Sequence, residues 1–300
     1  MKVKKILTFL ICPSCQSKKL RLKDKKIVCI DCKQSYDVVN EIPIMIIDKK
    51  LGRQEMQQQK IFDTHYSYFS EKKLRLENWR LSMLKRIFEN NFCSGVKTYL
   101  DIGCGATGYT TIEAVKRNNW QAFGVDISLQ AMMTAKKIAE KNDVCEKTAF
   151  IVCSAENLPF RKSSFDYISA VSVLEHLDDD DKAIENIHKI LKNNGYFYVC
   201  VPNSYKNIWL FLWPIYFYFD YKVGHKKHYS SKSIINKMRK NKLFKLEKIY
   251  YNGHLIKLWQ LLLEKLNLID DKRWWLFEKK DINKKPRGMQ LNAIFKKNKS

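Results

Sequence analysis

The chain has 300 residues, enough for one large or two modest domains with a proper core. Apolar residues at 45% and aromatics at 13% exclude a disordered chain, and no run of about 18 apolar residues is present to span a bilayer. The formal net charge of +24 is unevenly placed: it is +7 in residues 1–50, +3 in 51–94 and +16 in 204–300. Residues 95–203 are near neutral, with 12 basic against 14 acidic side chains. Charge concentrated outside the central segment suggests nucleic acid or an anionic membrane surface as partner, with a Lys-rich compositional bias as the plain alternative.

At the start, Lys2, Lys4 and Lys5 precede the apolar stretch Ile6–Ile11. No small-residue cleavage site follows this short run, so it is not read as a signal peptide. A cytoplasmic location is expected, with peripheral contact at the membrane. Two knuckles come next, Cys12-Pro-Ser-Cys15 and Cys29-Ile-Asp-Cys32. Paired Cys-x-x-Cys turns at this separation aim four thiolates at one tetrahedral Zn²⁺, a closed structural site without catalysis. A reducing compartment disfavours disulfides; Cys93, Cys104, Cys145, Cys153 and Cys200 read as small core residues. The stretches ILTFLICPSC and IVCIDCKQSYDVVNEIPIMI resemble the small zinc-ribbon proteins that activate tRNA and translation-factor methyltransferases. Similar ribbons also occur fused to methyltransferases, including rRNA guanine methyltransferases, and the resemblance covers about residues 5–48. Residues 1–50 are thus expected to form a small N-terminal Cys₄ zinc ribbon.

Residues 51–95 lack proline and are rich in helix formers, so two helices broken near His65–Ser70 are expected as a cover or linker. Phe62, His65, Tyr66, Tyr68 and Phe69 either cover a ligand from above or pack the helices onto the core. The stretch TYLDIGCGATGYTT (98–111) is the centre of the chain. An apolar strand ends in Asp101 and breaks into Gly103-x-Gly105-x-x-Gly108 before a helix at Tyr109–Arg117, the opening of a nucleotide-binding βαβ unit. Asp101 would repel a pyrophosphate and suits a ligand carrying an ammonium or sulfonium group. This resembles motif I of the class I S-adenosylmethionine-dependent methyltransferases of the type 11 kind. The resemblance implies cofactor contacts from Asp101, Gly103, Cys104, Gly105 and Gly108. A second strand, Gln121–Ile127, carries Asp126 twenty-one residues after Gly105, where a carboxylate can accept both ribose hydroxyls, with Ile127 beside it. Ser128 is the expected N-cap of a helix over Leu129–Lys141.

Strand three is expected at Thr148–Cys153, followed by SAENLPF. That segment resembles the family's motif III, where an acid and a backbone N–H hold the adenine. Ser154 stands where the acid is usual, leaving Ala155 and Glu156 as candidates. Phe165–Val173 is strand four, with Val171 near its end, and leads into Leu174-Glu175-His176-Leu177. The aspartates Asp178–Asp181 read as a solvated start to a helix over Lys182–Leu191. Asn193-Asn194-Gly195 reads as a turn before strand five at Tyr196–Val201. Residues 204–242 are the expected lid over the acceptor. It opens with the apolar run Ile208–Phe219 and continues as Gly224-His225-Lys226-Lys227-His228-Tyr229-Ser230. The latter looks like a GH-x-x-H segment that lies near the acceptor in many small-molecule and lipid-pathway methyltransferases. Strand six at Leu243–Tyr251, an amphipathic helix at Leu255–Ile269, an antiparallel last strand at Gln290–Lys296 and a frayed tail close the chain.

The expected fold is therefore α/β: a Rossmann-like seven-stranded sheet, six strands parallel and one antiparallel, over residues 96–300, behind a zinc ribbon. The resemblance implies methyl transfer from S-adenosyl-L-methionine, with His176, His225 and His228 as candidate bases; packing or capping is the alternative for each. A small-molecule or lipid-like acceptor is favoured by the cation-free apolar run 208–219, which suits an interface. RNA methylation is the alternative, suggested by the ribbon and the basic C-terminal part. A non-catalytic methyltransferase-like subunit is the rival class.

Overall fold

The structure, a computed structural model, describes residues 1–47, 97–240, 243–253 and 285–298, with scattered positions within 51–95 and 259–282. The expected aromatic cluster Phe62–Phe69, the expected helix Leu255–Ile269, Cys93 and residues 299–300 fall wholly or mostly outside the described residues.

A single helical turn at Val3–Ile6 leads into a four-stranded antiparallel ribbon in the order β1 (Leu20–Lys23), β2 (Lys26–Cys29), β3 (Ser35–Val39) and β4 (Ile42–Pro43). The ribbon is stitched to the rest of the chain. Ile44 bridges Val152 in parallel, Met45 N–H donates to Val152 O at 2.8 Å, and Leu10 bridges Phe160. Ile6, Leu10 and Met45 share one apolar core with Phe123, Phe160 and Phe165, and the Phe9 ring lies 4.7 Å from that of Phe123.

The central sheet contains β5 (Thr98–Ile102), β6 (Gln121–Asp126), β7 (Thr148–Val152), β8 (Phe165–Val171), β9 (Leu191–Pro202), β10 (Phe244–Asn252) and β11 (Gln290–Lys297). Their order is β10-β11-β9-β8-β5-β6-β7. Pairs β5–β6, β5–β8, β6–β7 and β8–β9 are parallel, while β11 is antiparallel to both β9 and β10. One strand against six is the expected count. The order reverses between β5 and β8, which opens the crevice in which such sheets take ligands. Strands β5 and β7 are buried at nearly every position because helices cover the faces: α1 (Tyr109–Asn118), α2 (Leu129–Lys141) and α3 (Asp180–Ile190).

Some boundaries differ from expectation for identifiable reasons. Helix α3 starts earlier because Asp179 caps it, accepting from Lys182 N–H at 2.9 Å. The Asn193-Asn194-Gly195 turn becomes a bulge within β9, with Asn194 at φ +62° and a register shift against β8. Lys297 belongs to β11 and not to a frayed end: it is 6% exposed, and its ammonium donates to His188 O and Leu191 O at 2.8 Å each. Beyond β9, α4 (Trp213–Val223) begins with a proline in its first turn, where the missing N–H costs nothing. It ends at Gly224 in the left-handed region. Helix α5 (Ser231–Arg239) follows, with Ser230 and Ser233 in a reciprocal capping box.

Candidate active site

The loop after β5 is held from below before any ligand arrives. Gly103 N–H and Cys104 N–H both donate to Val125 O, at 2.8 and 3.0 Å. Gly103 has φ +67°, and a Cβ there would lie 2.4 Å from Val173 Cγ2. Gly108 caps α1 at φ +49°, and a Cβ there would lie 2.8 Å from both Ala135 Cβ and Phe150 Cε1. Both turns need left-handed backbone in a space without room for a side chain. Cys104 turns inward, its thiol 3.9 Å from Met132 Sδ, and packs the loop from within.

Asp101 is buried and accepts from Ser169 Oγ at 2.7 Å; Tyr99 OH lies 2.5 Å behind that hydroxyl. Asp126 ties the two motifs together. Its Oδ2 accepts from Gly105 N–H at 3.0 Å and its Oδ1 from Ser128 N–H at 3.1 Å. Burial pushes the Asp126 carboxyl up, against those two N–H groups, which favour the ionised form. Ile127 O accepts from Gln59 Nε2 at 3.3 Å, and Ser128 Oγ meets Asp63 at 2.5 Å, so the segment before the sheet reaches across this edge of the crevice. Ser128 also caps α2, as expected.

After β7, Ser154 Oγ accepts from Glu156 N–H at 3.0 Å and caps the turn Ala155–Asn157. The Glu156 carboxylate is committed elsewhere, accepting from Asp179 N–H at 2.9 Å. Ala155 is half-buried and its turn stays on the crevice side of the sheet. Val171 ends β8, paired with Cys200, and Ser172 follows in the left-handed region at φ +54°. That kink sends Leu174–His176 into a short 3₁₀ turn.

The three candidate histidines come together around two acids that sequence reasoning did not single out, Glu175 and Asp220. His225 Nδ1 lies 2.8 Å from Asp220 Oδ1, and His228 Nε2 lies 2.8 Å from Asp220 Oδ2. Tyr205 OH donates to the same Oδ2. The His176 and His225 rings are 5.2 Å apart, and His225 Nε2 is 3.7 Å from Glu175 Oε1. Burial, with His225 beside it, lowers His176 to about 4; burial also lowers His225, partly offset by Asp220. Both imidazoles are neutral near pH 7. Burial pushes the Glu175 carboxyl up to about 8. The signal for Asp220 lay in the sequence as a lone acid at the end of an aromatic run, five residues before His225.

Asp180, expected at a solvated helix start, is buried. It accepts from Tyr229 OH at 2.8 Å and from Lys227 and Lys237 ammonium groups at 3.0 and 3.2 Å. This cluster fastens the GH-x-x-H segment to α3. Residues 208–219 divide by face. Ile208, Leu212 and Tyr216 are buried in a small cluster with Tyr205 and Met289. Leu210, Phe211, Phe217 and Tyr218 are 73, 61, 66 and 65% exposed.

Residues 100–199 match the family described as a methyltransferase domain. Norajmaline N-methyltransferase of Rauvolfia serpentina is 33% identical over 94 residues, covering 31% of this chain and 32% of that protein. The chain thus spans about a third of that curated relative's length, and about half of others. The [4+2]-cyclase SpnF superposes over 82% of this chain and 97% of its own, with a TM-score of 0.58 and 16% identity. Geranyl diphosphate C-methyltransferase of Streptomyces coelicolor, solved with Mg²⁺, geranyl diphosphate and S-adenosyl-L-homocysteine, covers 82% and 98%, with a TM-score of 0.56 and 12% identity. At such identities the likeness concerns the fold, and a cyclase shares it as readily as a methyltransferase. Residues 100–199 match a methyltransferase-domain model and form five strands of a Rossmann-like seven-stranded sheet that residues 244–252 and 290–297 complete.

Proposed function

We propose that the chain is an S-adenosyl-L-methionine-dependent methyltransferase acting on a small-molecule or lipid-like acceptor. The observation that carries this is Asp126 joined to Gly105 N–H at the mouth of a loop that leaves no space for a Cβ and abuts Val173, two residues before Glu175. The acid read as ribose-binding, the backbone turn and the polar cluster thus all follow the carboxyl ends of β5, β6 and β8. The residues fit the cofactor: Asp101 and Asp126 offer carboxylates for its cationic and hydroxyl-bearing parts, and the α1 N-terminus and the Ala155–Asn157 turn flank them. When bound, S-adenosyl-L-methionine supplies an electrophilic methyl on a sulfonium. With the cofactor held by Asp101, Asp126 and the 103–108 loop, that methyl would pass to the acceptor with sulfur keeping the S–C electron pair, and the acceptor's proton would leave to a histidine of the cluster or to water. The chain's task is alignment and exclusion of water, with neutral His176 and His225, while no ion holds their lone pairs, as hydrogen-bond acceptors toward an acceptor O–H or N–H.

Two of the three proteins named above, norajmaline N-methyltransferase and geranyl diphosphate C-methyltransferase, support a small acceptor, and the third is a cyclase. The exposed aromatic face of residues 209–221, with Arg287 4.6 Å over the Trp209 ring at its start, supports an apolar or lipid-like one with an anionic part. The ribbon adds a structural zinc. Cys12 and Cys32 Sγ, and Cys15 and Cys29 Sγ, are each 3.6 Å apart, close to the separation of about 3.8 Å that tetrahedral Zn–S bonds of about 2.3 Å impose. Tyr36 OH, 3.1 Å from Cys12 Sγ, is an outer partner for that sulfur.

The test is incubation of the purified protein with methyl-labelled cofactor and separate lipid, small-molecule and RNA fractions. Label is expected in a lipid or small-molecule product. Label in RNA alone overturns the acceptor reading. No transfer to any fraction by a folded protein that binds S-adenosyl-L-homocysteine overturns the enzyme reading.

A further inference from the structure

The short turn after β8 and the segment after α4 bring one ligand-type atom each from Glu175, His176 and His225 within 4.8 Å of one another. Among the described residues, the other such group is the ribbon's four cysteines. Glu175 is 0% exposed, and its carboxylate oxygens have only Ser172 and the Glu175 backbone N–H as donors nearby, neither at good hydrogen-bond geometry. A buried carboxyl group left in that state is costly, and structures keep one only where something compensates it.

His225 is oriented for the compensating group. Its Nδ1–H is held by Asp220 Oδ1 at 2.8 Å, which leaves the Nε2 lone pair facing Glu175 Oε1 at 3.7 Å. That gap is too wide for a hydrogen bond. It approaches the separation of about 3.3–3.6 Å between two ligand atoms on one tetrahedral ion with bonds of about 2.0–2.2 Å. Asp220 is in turn fixed on its other oxygen by His228 Nε2 and Tyr205 OH. A carboxylate that orients an imidazole from behind is the usual outer partner of a metal-bound histidine.

We propose that Glu175, His176 and His225 form a divalent-cation site of the zinc class, separate from the ribbon. Two imidazoles and one carboxylate suit zinc and neighbouring transition metals, whereas magnesium and calcium take oxygen sets. Three protein ligands leave a fourth position for water or an oxygen-bearing ligand, as catalytic zinc sites do. The use of that position to polarise a methyl acceptor rests on the methyltransferase reading; the site itself does not.

The experiment is zinc content of the full chain by elemental analysis after zinc loading and dialysis, with stepwise chelator release. The wild type is expected to hold about two zinc ions, and Glu175→Gln, His225→Ala and Cys29→Ser/Cys32→Ser about one each. Asp220→Asn should keep the fold and weaken the second ion by roughly 10–100-fold. A wild type holding one zinc that disappears in the cysteine variant overturns the proposal. So does undiminished content in folded Glu175→Gln and His225→Ala. Should those variants fail to fold, the wild type and the cysteine variant decide: an ion surviving in the latter supports the site, and none overturns it. Metal content is read without turnover, so failure here and failure of methyl transfer are distinguishable.

Discussion

Asp126→Ala is the sharpest perturbation of the cofactor site. The carboxylate accepts two backbone N–H groups, Gly105 at 3.0 Å and Ser128 at 3.1 Å, and would accept the ribose hydroxyls on its remaining lone pairs. Hydrogen bonds to a charged group contribute about 1.5–3 kcal/mol each, so losing two to the ribose costs at most about 3–6 kcal/mol. Water partly replaces them in an open crevice, which brings the expected loss to about 2–4 kcal/mol, or roughly 30- to 1,000-fold in affinity. The variant should still fold. Gly103 and Cys104 N–H remain on Val125 O, and orphaning two N–H groups at this largely buried site costs about 1–3 kcal/mol of stability. Asp126→Asn separates ribose recognition from loop support, because it keeps one carbonyl acceptor; an intermediate loss of about tenfold is expected. Titration calorimetry with S-adenosyl-L-homocysteine, beside urea unfolding of each variant, reads both quantities. Wild-type affinity in a folded Asp126→Ala protein would refute the assignment.

Gly103→Ala combines a left-handed φ of +67° with a Cβ 2.4 Å from Val173 Cγ2; a stability loss of about 2–5 kcal/mol in urea is expected, partly recovered by Val173→Ala. His188 is held neutral, lowered to about 4 by burial with Lys297 and Lys189 nearby. From pH 6.5 down to about 4 the unfolded chain therefore binds a proton that the folded one refuses, and stability falls as pH falls. His188→Gln should remove on the order of 1–3 kcal/mol of that fall, and an unchanged pH profile would contradict it. Anionic vesicles should float the wild-type protein and release Phe217→Ser/Tyr218→Ser, whose side chains are 66 and 65% exposed. Equal flotation of both would count against an aromatic interface.

The backbone of the loop after β5 and its tie to Asp126 were legible because glycine spacing and a downstream acid encode backbone requirements directly. Gly103 and Gly108 are glycines since no Cβ fits, and Asp126 falls where β6 must end. Helix α2 and its Ser128 cap followed from local rules that tertiary contacts did not override. The polar cluster was legible only as three separate histidines. What unites them is Asp220, and its burial depends on how α4 lies on Tyr205 and Met289, a long-range packing fact with no local signature. Asp180 failed in the same way. A run of aspartates before a helix reads as solvated, yet Tyr229, Lys227 and Lys237 arrive from elsewhere in the chain and bury it. Burial pushes its carboxyl up, but those three partners together hold it below the usual range.

The apolar run and the polar cluster are two faces of one device. Ile208, Leu212, Tyr216 and Asp220 recur every four residues and are all buried, so the stripe that anchors the segment ends in the acid that gathers His225, His228 and Tyr205. The neighbouring stripe, Trp209, Trp213, Phe217 and Tyr221, also recurs every four residues and is exposed, rising to 88% at Tyr221. A side chain on one stripe is one residue from the other. A partner that covers the aromatic stripe therefore bears directly on the position of Asp220, and through it on the orientation of His225 beside Glu175. Within α4 the helical period separates buried Tyr216 and Asp220 from exposed Trp213, Phe217 and Tyr221, while Ile208, Leu212 and Trp209 extend the two sets from the irregular segment before the helix, and the buried acid ties the position of α4 to the imidazole geometry.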